Sequence, residues 1–136
     1  MTGFSDALLW QRPAGVASAG FHLQHLAGVL DRLFTYASDL PLTPAQLHDL
    51  AAEGTPTSGQ STVAQLLNRF NIQIDKALEQ IGQTPETNLT QPRYVGRARI
   101  PSTVGGLLFH AAEHTQRHTG QLLVTARVVA GNPYEK

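Results

Sequence analysis

A helical pattern uninterrupted by proline runs from Thr103 to about Ala130, with Ser102 before it as N-cap, and it carries His110, His114 and His118 at four-residue intervals. Histidines at i and i+4 lie one turn apart on the same helix face, so two imidazoles can converge on one metal ion. A third ligand must come from another element, and the only other histidine-rich helical stretch offers His22 and His25. The pattern therefore calls for helices packed side by side, with a three-histidine site between two members of a bundle.

At 100° per residue, Leu107, Ala111, Leu122, Thr125 and Val129 fall within about 40° of His118, which places it at the centre of the inward stripe. His114 lies about 40° away and His110 about 80° away. His110 and His118 are also two turns apart, roughly 12 Å along the axis, too far to share an ion comfortably. The pair His114/His118 is the expected half-site, with His110 at its rim. A single inward histidine is commonly a hydrogen-bonded core residue, but two of them each need a polar partner once buried. Ala111 and Thr115 stand where a His-Glu-x-x-His metalloprotease would have its glutamate. On the earlier helix the apolar arc centres on Leu26, Leu30, Leu33 and Ala37. His22 lies slightly closer to that arc than His25, so spacing alone leaves the choice between them open. His25 lines up with Phe21, Val29, Arg32 and Tyr36, a mixed stripe able to edge a pocket.

Three further helices are expected. The first starts from an N-cap at Ser18 and stops near Ser38, before Pro41 and Pro44. A short one opens at Thr43-Pro44-Ala45-Gln46, a capping box with proline at the first helical position, and ends near Gly54. The last runs from about Ser61 through Val63, Leu67, Phe70, Ile74, Ala77 and Ile81, and Gly82 closes it. Residues 55–60 read as a loop, and so do residues 83–101, where Pro85, Pro92 and Gly96 interrupt regular structure. At 136 residues, 41% hydrophobic and 15% charged, the chain is expected to form one globular domain over 1–136. Ten basic residues balance ten acidic ones, which leaves no field to draw nucleic acid or an anionic membrane. No apolar run approaches the roughly 20 residues of a membrane span, and no leader pattern precedes the first helix, so the expected location is cytoplasmic. There is no cysteine, which removes disulfides, thiolate ligands and a cysteine nucleophile together.

Two segments carry a family resemblance. Residues 18–37 resemble the metal-site helix of DinB-like (damage-inducible B) proteins, and residues 97–121 resemble their last helix. The family's motif there is histidine, three residues, histidine, any residue, glycine, glutamine, matched by His114, His118, Gly120 and Gln121. Its first-helix ligand is a histidine followed by an aliphatic and a small residue, which His25-Leu26-Ala27 fits and His22-Leu23-Gln24 does not. The resemblance implies an all-α, up-down-down-up four-helix bundle, here with a shortened first helix, since only about ten residues precede Trp10-Gln11-Arg12-Pro13. It implies a divalent ion, nickel or zinc, held by His25, His114 and His118. Some relatives are thiol-dependent S-transferases that use bacillithiol, mycothiol or glutathione, and one branch isomerises maleylpyruvate.

Three neutral imidazoles leave coordination positions open, as catalytic ions require, and such an ion lowers the pKa of a bound thiol. With no cysteine in the chain, that sulfur must belong to a small cosubstrate. The leading expectation is a metal-dependent transfer of a low-molecular-weight thiol to an electrophilic small molecule. The alternatives are a metal-dependent hydrolase and a non-catalytic, stress-linked metal-binding bundle. Arg32, Tyr36 and Gln121 are the candidate substrate-binding residues, with the Arg97–Arg99 loop near the mouth. A shortened first helix would leave an apolar groove, so a homodimer that covers it is expected.

Overall fold

The computed structural model describes residues 1 and 3–131. Four α-helices dominate it: α1 (Ala19–Ala37), α2 (Pro44–Ala52), α3 (Val63–Gln83) and α4 (Val104–Ala130). Each begins at a side chain able to accept from a backbone amide the helix itself leaves unpaired. The Ser18 hydroxyl accepts from the Phe21 amide at 3.1 Å and starts α1. Thr43 with Gln46 and Thr62 with Gln65 form capping boxes at α2 and α3. The α4 cap is Thr103, which accepts from the Gly106 amide at 3.0 Å, one residue later than the Ser102 expected from sequence. Thr103 is also the last residue of a strand, so α4 starts directly where that strand ends.

That strand belongs to a hairpin in the segment read as loop. Strands β1 (Pro92–Val95) and β2 (Ile100–Thr103) pair antiparallel, with Arg93 opposite Ser102 and Val95 opposite Ile100. Proline at the first position of β1 and again in β2 hides the hairpin from a reading by pattern, because proline is tolerated at strand starts and edges but signals interruption. The expected all-α architecture thus carries one small sheet. Before Ala19 the described residues form two 3-10 turns, Asp6–Leu8 and Pro13–Gly15, rather than an α-helix.

Helix α1 is the central member. It packs against α3 and α4 along its length, and against α2 and β1 as well. Two apolar clusters lie along it. One joins Leu9, Ala19, Leu23, Leu26, Leu66 and Leu122, and the other joins Val29, Leu30, Leu33, Phe34, Ala77, Leu107 and Ala111. Helix α3 is amphipathic, with Val63, Leu66 and Ala77 turned inward. Helix α4 keeps Leu107, Ala111, Leu122 and Thr125 buried, the stripe expected around His118. The α1 chain reversal uses Asp39 at φ 60, with its amide bonded to the Tyr36 carbonyl and the Leu40 amide to Thr35. No described helix is long and apolar enough to cross a membrane.

Leu66 is fully buried where α3 meets α1. Leu66→Ala should lower stability by about 2–5 kcal/mol, whereas Leu78→Ala at an exposed position of α3 should stay within about 0.5 kcal/mol. Urea unfolding of both variants beside the parent measures the contrast.

Candidate metal centre

The side-by-side packing of α1 and α4 brings His25, His114 and His118 together. One ring nitrogen from each lies within 4.8 Å of the other two. The rings meet closely, at centroid distances of 4.4 Å for His25 and His118, 4.5 Å for His114 and His118, and 5.0 Å for His25 and His114. All three are half-buried, so the cluster has an open side. Ligand nitrogens of a tetrahedral zinc sit roughly 3.3 Å apart, a spacing this cluster can reach with small ring movements. His110 stays outside it, half exposed and 3.8 Å from Glu113, with its ring 5.3 Å from that of His114.

The hydrogen-bond network assigns the tautomers. His25 Nδ1–H donates to Glu53 Oε2 at 2.7 Å, which leaves the His25 Nε2 lone pair facing α4. That nitrogen is 2.8 Å from His114 Nε2, so His114 is the donor there. Arg117 Nη2 donates to His114 Nδ1 at 3.2 Å, consistent with a proton on the opposite nitrogen. For an ion to take both Nε2 atoms, the proton held between His25 and His114 would move to His114 Nδ1, and Arg117 would turn away from that nitrogen while keeping its 3.0 Å contacts with Glu113. His22, the competing candidate on α1, sits behind His118 instead. Its Nδ1 is 3.1 Å from His118 Nδ1, and with His118 as the donor of that pair His118 Nε2 is bare. His22 therefore orients a cluster residue and is itself buried.

Glu53 is the residue that sequence reasoning missed, and the fold invests several side chains in placing it. It occupies the C-cap of α2, where an acid opposes the helix dipole, and that misfit was a legible sign of a tertiary partner. Gln24 on α1 clamps the following turn: its amide donates to the Thr55 carbonyl at 2.9 Å and its oxygen accepts from the Gly54 amide at 2.8 Å. Arg32 Nη1 lies 2.8 Å from Glu53 Oε1, as an ion pair without a well-aligned hydrogen bond. Gly28 makes room for that pair, since a Cβ there would meet Arg32 Nη1 at 2.6 Å and Glu53 Oε1 at 2.8 Å. Phe21 stacks on the His25 ring at 5.3 Å.

The expected substrate-binding residues do not gather at the cluster. Arg32 is turned onto Glu53 behind His25. Tyr36 lies eleven residues along α1 from His25 and lines a separate cleft with Arg97 and Arg99. Gln121 is exposed, one turn beyond His118.

Electrostatics favour neutral imidazoles. Burial, aided by His118 and His25, lowers the His22 pKa to about 4. Burial likewise lowers His114 to about 4, with His118, His25, Arg117 and His110 adding to the effect, and it lowers His118. Burial pushes Glu53 upward, but the hydrogen bond from His25 and the Arg32 charge outweigh it and hold its carboxyl below the usual range. Neutral imidazoles and an ionised orienting carboxylate are the protonation states that metal ligation needs.

A family model described as the DinB superfamily matches residues 2–122, well over half of the chain. No curated protein and no solved structure matches it. The chain belongs to the DinB superfamily.

With folded pKa values near 4 against about 6.5 unfolded, His22 and His114 take up protons more readily when the chain unfolds. Their contribution to stability is complete above about pH 6.5 and is lost as pH falls toward 4. In chelator-treated protein the urea midpoint should drop through that window. The slope should be shallower in His22→Gln, as equilibrium unfolding at stepped pH will show.

Proposed function

We propose that this DinB-superfamily protein is a metal-dependent enzyme that transfers a low-molecular-weight thiol to an electrophilic small molecule. The reading rests on the convergence of three imidazoles from α1 and α4 on one partly open spot. A cysteine-free chain adds that any reacting sulfur arrives with a cosubstrate. In this proposal His25, His114 and His118 hold one divalent ion, nickel or zinc, since imidazole suits both. When bound, the ion supplies positive charge that lowers the pKa of a neighbouring thiol. Glu53 keeps the His25 proton on Nδ1, His22 does the corresponding work for His118, and Arg32 keeps Glu53 charged. We place Gln121 at the mouth, one turn beyond His118 on the exposed side.

We further propose that two copies pair along α4. Phe109 is 76% exposed, Val124 63% and Val128 58%, an outward apolar stripe of the kind that partners cover. Light scattering at micromolar concentration should report a dimer, and a stable monomer would remove this part of the proposal.

Equilibrium dialysis followed by elemental analysis should find one nickel or zinc per chain in the parent and in His110→Ala. Stoichiometric metal should be lost in His25→Ala, His114→Ala and His118→Ala, while Glu53→Gln should weaken affinity by roughly 10–100-fold. The metal-loaded protein should then consume glutathione, mycothiol or bacillithiol in the presence of an electrophile. Ester or amide hydrolysis without thiol would favour a hydrolase instead, and metal binding with neither activity would leave a binding protein.

A further inference from the structure

A second cleft lies at the C-terminal end of α1, between the α1–α2 connection and the β1–β2 turn. Its volume is about 390 Å³, within the range of small-molecule sites. Tyr36 and Tyr94 supply aromatic surface, Leu40 and Leu47 aliphatic surface, and Arg97 and Arg99 positive charge. Leu40 is 57% exposed and Leu47 46%, so this apolar surface faces water. Among the described residues neither guanidinium stands within ion-pair distance of a carboxylate. Arg99 is instead laid over the Tyr94 ring, 4.5 Å from its centroid.

The backbone supports the same reading. Arg99 adopts φ 47 in the hairpin turn, and Asp39 adopts φ 60 at the end of α1. Glycine or asparagine meets those conformations with less strain than arginine does. An arginine in that conformation, laid over a tyrosine and two residues from Arg97, puts a second guanidinium on the cleft at a cost in backbone strain, as binding sites often do. Two guanidiniums and the Asp39 carboxylate leave the charged lining with one net positive charge, which a monoanion balances. Guanidinium matches a carboxylate by paired N–H donation, and the tyrosine and leucine surface needs an apolar body.

We propose that this cleft binds a small amphipathic carboxylate, its head on Arg97 and Arg99 and its aromatic or alkyl body against Tyr36, Tyr94, Leu40 and Leu47. Tyr36 is eleven residues from His25, about 16 Å along the helix axis, so the site is separate from the histidine cluster and independent of the proposed reaction.

The probe is 1-naphthoate, titrated into the full chain as purified and again after chelation, with amide and arginine side-chain NMR shifts as readout. Saturable binding with Kd of about 1 mM or tighter is expected, centred on Tyr94, Arg97 and Arg99 and unchanged by chelation. Arg97→Ala and Arg99→Gly should each weaken it by about fivefold or more. Arg99→Gly should do so without lowering Tm, because glycine relieves the left-handed backbone. The proposal is overturned by no saturable shift below about 10 mM, or by equal binding of neutral 1-naphthalenemethanol or of inorganic phosphate. Loss of binding on chelation, or undiminished affinity in both arginine variants, would equally sink it.

Discussion

Helix α1 is buried on nearly every side, yet it carries His22, Gln24, His25 and Arg32. A buried polar group without a partner costs far more than one hydrogen bond is worth, so each of these side chains must be met by something from elsewhere in the chain. That demand organises the molecule. Gln24 takes the backbone of the turn after α2, Arg32 and His25 take the two oxygens of Glu53, and His22 takes His118 on α4. Apolar packing brings the helices into contact, and these polar pairings set the register in which α2 and α4 meet α1.

The same pairings give the candidate metal centre its chemistry. Burial, with charge on the neighbouring imidazoles and on Arg117 adding to it, resists protonation of His114 and His118. Behind them stands an ionised carboxylate that a neighbouring guanidinium keeps charged, so His25 offers its outward nitrogen rather than its proton. Gly28 shows how closely this support is built, because even a methyl group would collide with the ion pair. A cluster supported this way is oriented before any ligand arrives, and preorganisation of that kind separates a binding site from a chance grouping of histidines.

Much of this was readable beforehand where the signal was local. Ser18, Thr43 and the apolar spacing through α3 and α4 announced the helices, because a cap or a 3.6-residue period acts within a turn or two of chain. The wheel of α4 separated His118 and His114 from His110, and the cluster follows that order. The hairpin between α3 and α4 escaped, since strand pairing joins residues up to eleven apart through two proline-containing strands and leaves no period to count.

What the sequence by itself determined is therefore the set of helices and the inward stripe that puts His114 and His118 on one face. Family resemblance then chose His25 over His22, a choice the helical wheel had left open. Only the tertiary structure decided that Glu53, 28 residues from His25, would orient it, that Arg32 would serve that carboxylate, and that Tyr36 and the turn arginines would form a cleft of their own. The physical reason is range. Caps and periodicity are properties of neighbouring residues, whereas a buried charge finds its partner only when distant segments are packed against it, and one sequence pattern is compatible with many such partners until they are.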